Sequence, residues 1–191
     1  MIKKIFIILV FSVLIPSIEI KAQSSKLEDK IIQIINAFDA KDSVLINNFI
    51  HPDYGLMIVF RLGVFNQYEK RNNIDFNKPV AAYFPFEIDT TINFQALPTF
   101  DCESYQWSKT GLYCDTTQRD HLLSKTAISL IKYAEVNIPT ETVESFKELE
   151  SKSHRIVLID NEDGELIFYL TLIGDNWYLT MLDRIASDCS S

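Results

Sequence analysis

Residues 155–185 read RIVLIDNEDGELIFYLTLIGDNWYLTMLDRI. Three runs rich in Ile, Val, Leu, Phe, Tyr and Trp are separated by Asn161-Glu162-Asp163-Gly164 and by Gly174-Asp175-Asn176. Both breaks are made of hairpin-turn residues, and the runs between them carry the β-branched and aromatic side chains that suit a pleated surface. The stretch predicts a three-stranded antiparallel meander. It supplies a scaffold and no chemistry of its own.

Working back from the meander, Pro139-Thr140 opens a helix with Val143, Phe146 and Leu149 on its inner side. Before it, Leu123, Ala127, Leu130, Ile131 and Ala134 recur at helical spacing and predict a helix over 118–133. The middle of the chain has weaker signals. Residues 79–86 and 91–97 have strand composition, but Pro85 and Pro98 favour sheet edges or irregular segments over a central strand. Tyr105-Gln106-Trp107 and Leu112-Tyr113-Cys114 flank Ser108-Lys109-Thr110-Gly111, which reads as a hairpin.

At the other end, Ser25-Lys26-Leu27-Glu28 has capping-box spacing, and Leu27, Ile31, Ile34, Ile35 and Phe38 follow as one apolar stripe. Asp42 caps a short second helix with Leu45, Ile46 and Phe49 inward, His51-Pro52 ends it, and Gly55 turns the chain into a strand over Leu56–Leu62. Ahead of all this, Met1-Ile2-Lys3-Lys4 is a positive start, residues 5–18 are almost wholly apolar, and Lys21-Ala22-Gln23 offers a small residue for cleavage. A spanning helix needs about 20 apolar residues and this run has about 14, so residues 1–22 read as a signal peptide and 23–191 as a single α+β domain. The chain is thus expected to be exported, to the periplasm or beyond, and to meet the membrane only during export.

The formal charge is -8, with 26 acidic and 18 basic residues. Losing the leader removes three lysines and one glutamate, which takes the charge from -8 to -10. The longest basic grouping is Lys70-Arg71, far short of the clusters that release counterions from a phosphate backbone, so nucleic acid is excluded as a partner. With no G-x-S-x-G elbow, no glycine-rich phosphate loop and no C-x-x-C pair, hydrolase, nucleotide-binding and thioredoxin-like readings find no motif, and no cofactor is implied.

The opening IINAFDAKDSVLINNFIHPDYGLMIVF (residues 34–60) resembles the start of nuclear-transport-factor-two-like (NTF2-like) domains, the group that includes ketosteroid isomerase and SnoaL-type cyclases. The closing GELIFYLTLIGDNWYLTMLDRI (residues 164–185) is similar to their last strands. The resemblance implies a curved antiparallel sheet packed on N-terminal helices to form a cone with an apolar pocket. Between Phe65 and Lys152 the chain departs from that pattern, with an irregular stretch and two additional helices that are expected to fill or lid the cone. The family's catalytic acids have no matching motif here, so none is carried over.

Several residue groups invite chemistry, each beside a plainer reading. His51 and Asp53 offer an acid/base pair if they converge on the pocket, with Tyr54 nearby; Asp and Pro are also ordinary turn residues. Arg61 ends an apolar run on the face of Met57 and Val59, where an inward guanidinium requires a partner such as an anionic ligand and an outward one is simply solvated. Asp115, Asp120 and His121, with Asp101 and Asp53, match no metal-ligand spacing, and no metal is assigned. Asp160-Asn161-Glu162-Asp163-Gly164 lacks the alternating ligands and closing Glu of a calcium loop and reads as a turn. Tyr105, Trp107 and Tyr113 cluster around the expected hairpin and mark an interaction surface. Cys102 and Cys114 are spaced for a disulfide, although a tight turn at Ser108–Gly111 places Cys114 opposite Tyr105; Cys189 pairs with either or stays free.

The leading expectation is a non-catalytic exported domain that binds a small apolar or weakly anionic ligand, or a protein partner. Its rivals are an isomerase, dehydratase or hydrolase using His51 and Asp53 with Arg61 as anion holder, and an inhibitor or immunity-type protein acting through its acidic surface.

Overall fold

The structure is a computed structural model that describes residues 15–79 and 85–190, with side chains from residue 26 onward. Most of the expected leader, residues 1–14, and residues 80–84 of the strand-like stretch 79–86 lie outside the described residues.

Helix α1 (Ile15–Asp39) buries Leu27, Ile31, Ile34, Ile35 and Phe38, as their spacing requires. Its backbone is already helical ahead of Ser25, so the capping box expected to start the helix lies within it. Helix α2 (Ser43–Asn47) does begin at its predicted cap, where Asp42 Oδ1 accepts from the Val44 and Leu45 N–H groups at 3.0 and 2.9 Å. Ile46 and Phe49 are buried three residues apart. Leu45, expected beside them, falls off that single inward line and is exposed.

Strand β1 (Leu56–Leu62) has its predicted limits. Gly55 enters it at φ +69, and a Cβ there would sit 2.8 Å from the Arg71 carbonyl oxygen, so only glycine fits. The chain then doubles back through Gly63-Val64 into β2 (Phe65–Arg71), paired with β1 along its whole length. This regular strand corrects the irregular stretch expected from Phe65 onward. Short strands β3 (Ile92–Asn93), β4 (Phe100–Asp101) and β5 (Gln106–Trp107) follow, then β6 (Gly111–Cys114). The hairpin expected at Ser108–Gly111 does not form: β5 pairs back onto β4, while β6 joins the strand that starts the meander. Helices α3 (Leu122–Ala134) and α4 (Thr140–Ser151) lead into β7 (Ser153–Ile159), β8 (Glu165–Ile173) and β9 (Asn176–Asp183), the predicted meander.

Seven strands form one curved, unclosed sheet in the order β2-β1-β9-β8-β7-β6-β3, antiparallel except for β1 beside β9 and β3 beside β6. The first long strand therefore lies against the last, and the two ends of the polypeptide share a core. On one face α1 and α2 pack onto Ile58, Leu112, Ile156, Leu158, Phe168 and Leu179. On the other, Met57, Val59, Tyr169 and Met181 lie under Leu123, Ala127, Val143 and Phe146 of α3 and α4. Alongside them Val157, Ile159 and Ile167 lie under Leu97, Trp107 and Ala186. Each such aliphatic or aromatic side chain contributes about 1.5–3 kcal/mol when fully buried.

This two-sided cover changes one expectation. The inserted helices pack on the face away from α1, so they neither fill nor lid the space between α1 and the sheet. A bulge makes the two faces compatible: Tyr169 pairs with Met181 and Leu170 with Leu179, leaving Thr180 as an extra residue. Its hydroxyl joins a buried chain, Ser153 to Thr171 to Thr180, with both links at 2.6 Å.

Candidate functional site

Between α1 and the β1/β9 pair the first core stops short of closing. A cavity of about 200 Å³ remains, walled by Phe38, Ile58, Ile74, Phe76 and Leu182. Asn47, at the end of α2, fixes the outer wall: its amide oxygen accepts from the Ile74 N–H at 2.6 Å and its Nδ2 donates to the Ile74 carbonyl at 3.1 Å. That two-point clamp holds an otherwise polar loop so that Ile74 and Phe76 face inward, with Phe76 edge-on to Phe38 at 5.6 Å. Arg71, Lys78 and Arg184 border the same cavity with Asp75, Arg71 being paired with Glu69 at 2.7 Å, so cations outnumber carboxylates at this rim on a chain of formal charge -8. Since a dry cavity of about 150 Å³ admits benzene, this space suits a compact ring or short chain with an acidic end.

A polar cluster lies on the other face of the sheet. Arg155 of β7 donates from Nη2 to Asp183 Oδ2 at 2.6 Å, and its Nε lies 3.8 Å from Asp120 Oδ2. The Tyr169 hydroxyl donates to the same Asp120 oxygen at 2.5 Å, beneath the Arg155 guanidinium. Burial alone disfavours the Arg155 charge, but Asp183, then Tyr169 and Asp120, more than reverse this and raise its pKa. Burial likewise raises the Tyr169 phenol, which stays a neutral donor. At the edge of this cluster Arg119 donates from Nε to the Ser151 carbonyl at 3.0 Å, and its Nη1 lies 3.1 Å from His154 Nδ1.

The residues singled out from sequence occupy other places. His51 Nδ1 accepts from the backbone N–H groups of Asp53 and Tyr54, at 3.2 and 3.4 Å, and its ring packs against Tyr54 and Tyr178. The Asp53 carbonyl accepts from Lys70 Nζ. Arg61 is half-buried on the Met57/Val59 face, donating to Asn66 Oδ1 at 3.0 Å and to the Ser190 carbonyl, with Asp188 at 3.9 Å. Tyr105 is exposed in the turn between β4 and β5; Trp107 stacks edge-on to Phe100 at 5.3 Å over the Val157 cluster; Tyr113 lies under Lys109 Nζ at 4.2 Å. None of these residues lines the cavity beside α1.

Cys102 is bonded to Cys189 instead of Cys114, which is buried and free. The reason is the missing hairpin: β6 carries Cys114 into the sheet beside Ile156, away from the β4–β5 ribbon. Of the acids considered for metal, Asp101 accepts from Glu103 and Ser104, Asp115 from Thr117, and Asp120 from Tyr169, while His121 Nδ1 lies 3.7 Å from Glu150. Among the described residues no group of three or more His, Cys, Asp or Glu is arranged to hold a metal ion. The Asp160 carboxylate accepts from the Glu162 and Gly164 N–H groups and from Glu87 across the chain, which is turn chemistry.

Sequence reasoning missed the cavity's own residues. The available signal was Ile74 and Phe76, two apolar side chains two apart in the polar loop RNNIDFNK. Comparison with protein-family models, curated proteins and solved structures finds no match to this chain.

Proposed function

We propose that this chain is an exported, non-catalytic binding domain whose cavity beside α1 takes a small apolar molecule carrying one acidic group, in a fold of the NTF2-like kind. The observation that carries the reading is the pairing of an apolar wall, Phe38, Ile58, Ile74, Phe76 and Leu182, with Arg71, Lys78 and Arg184 around it. Apolar walls with a few convergent polar groups are what small-molecule sites are made of. Export is supported by the leader pattern and by the Cys102–Cys189 disulfide, which suits an oxidising compartment. An enzyme built on His51 and Asp53 has less support, because the His51 Nδ1 lone pair is spent on the turn it sits in.

Calorimetric titration with phenylacetate and its neutral amide tests the reading. Phenylacetate is expected to bind at least tenfold more tightly than phenylacetamide, and Ile74→Asp, which puts a carboxylate into the wall, to abolish both. Asn47→Ala, by releasing the loop, should weaken phenylacetate about tenfold, or about 1.4 kcal/mol. Equal affinity for acid and amide, or no binding of either, would overturn the ligand class. Amino-terminal sequencing of protein recovered outside the cytoplasm should begin at Gln23.

A further inference from the structure

A second cavity, of about 370 Å³, opens on the face of the sheet away from α1, between the 96–99 segment and the 115–120 loop, and Arg155 lines it. Of the five N–H donors of a guanidinium, Arg155 spends one on Asp183 and keeps its Nε buried 3.8 Å from Asp120, while the side chain stays 19% exposed where it lines the cavity. A half-buried guanidinium is stabilised by a group that supplies acceptors to its remaining donors. Asp115, which also lines the cavity, accepts from the Thr117 N–H and hydroxyl and from the Gln118 N–H, and Asp120, in the same lining, accepts from the His121 N–H and the Tyr169 hydroxyl, so both carboxylates are held in place at the cavity. Ala96, Leu97 and Pro98 supply an apolar patch in the rest of the wall, beside Thr99 and Gln118.

The charges select the ligand. Within the lining Asp115 and Asp120 stand against Arg119 and Arg155, two carboxylates to two guanidinium groups, so a simple anion or a simple cation meets charge of its own sign as well as of the opposite one. A zwitterion satisfies both. We infer that this cavity binds a free α-amino acid with an apolar side chain, its carboxylate on Arg155, its ammonium between Asp115 and Asp120, and its side chain against Leu97 and Pro98. The site is separate from the cavity beside α1 and does not depend on the reading given for it.

The test is calorimetric titration of the purified protein with L-leucine, 4-methylpentanoate, which lacks the ammonium, and 3-methylbutylamine, which lacks the carboxylate. Leucine is expected to bind, with each truncated analogue at least tenfold weaker. Titrations repeated on Ile74→Asp, which disables the other cavity, should give the same leucine affinity. Removing the Arg155 side chain strands Asp183 and endangers folding, so Asp115→Asn is the informative variant: it keeps an oxygen for the Thr117 turn, lowers leucine affinity about tenfold and leaves 4-methylpentanoate unchanged. The inference is overturned if neither leucine nor any other protein amino acid binds at millimolar concentration, if the analogues match leucine, if Asp115→Asn has no effect, or if Ile74→Asp removes leucine binding.

Discussion

His154 shows how far its neighbours decide what a side chain does. It is a β7 residue beside the Trp177 ring, with Arg119 on its Nδ1 and Asp115 nearby. Burial, followed by the Arg119 charge, pushes its pKa down to about 4, against a smaller upward pull from Asp115. A histidine with a depressed folded pKa is neutral in the native state while the unfolded chain still binds a proton near pH 6.5. Its contribution is complete above pH 6.5 and is lost as pH falls towards 4. Imidazole resonances followed by NMR should therefore show His154 neutral at pH 5.5, and His154→Gln should flatten the fall in stability between pH 6.5 and 4 relative to the parent chain. A His154 signal titrating at 6.5 would mean that the ring is solvated. Sequence could not reveal this, because the burial that dominates the shift and the Arg119 charge that adds to it both reach His154 only through the fold.

Among the elements, α3 depends on a neighbour for its start. His121 precedes it without any side-chain cap, and the Leu123 and Ser124 N–H groups are instead accepted by Glu150 Oε1 of α4, at 2.6 and 3.1 Å. Glu150 is fully buried, so its carboxylate serves as an imported cap and complements the positive end of the α3 dipole. Glu150→Ala leaves buried donors unpaired and should cost about 2–4 kcal/mol, with Glu150→Gln retaining roughly half by keeping an acceptor without the charge. Urea unfolding with unchanged slope measures both; a loss under about 1 kcal/mol for the alanine variant would show that water replaces the cap. The periodicities of α1, α3, α4 and the meander were legible because each buried stripe is written locally, although α3 starts at Leu122 and not at 118, and Ile131, counted in its periodic set, is exposed. Strand β2, FNQYEKR, was not, since its regularity comes from pairing with β1 through the Gly63-Val64 turn and few of its side chains are apolar. The Arg155–Asp183–Asp120–Tyr169 cluster was hidden for a related reason: its members lie in separately predicted elements, and the β7/β8 and β8/β9 registers with the 115–120 loop bring them together. The two acids that were noticed there, Asp115 and Asp120, looked like metal ligands without a motif, and their partners were the missing half of the pattern.

At the scale of the whole molecule, the Cys102–Cys189 bond ties the β4–β5 ribbon to the segment after β9 across 87 residues of sequence. That closing segment is also held by Arg61 on Asp188 and Ser190, and by the Ser187 hydroxyl on Glu165 at 2.9 Å, while Ala186 helps cover Val157, Ile159 and Ile167. Ribbon and tail together roof one side of the sheet, and the bond keeps them in place by restricting the unfolded chain. For a loop of this length the chain-entropy account gives about 4–5 kcal/mol, an upper figure because disulfides often deliver less. Cys102→Ser with Cys189→Ser should therefore lower unfolding free energy by about 3–5 kcal/mol while the far-ultraviolet spectrum of the sheet persists, since the strands β7, β8 and β9 pair without the roof. Cys114 provides the control. It is fully buried, and burial, aided by Asp115, pushes its thiol up to about 12, so it should not react with thiol reagents until the protein unfolds. Peptide mapping without reductant should recover Cys102 linked to Cys189 and one free thiol at Cys114; a Cys102–Cys114 peptide, or a rapidly reacting Cys114 in the native protein, would contradict both the ribbon pairing and the place of β6 in the sheet.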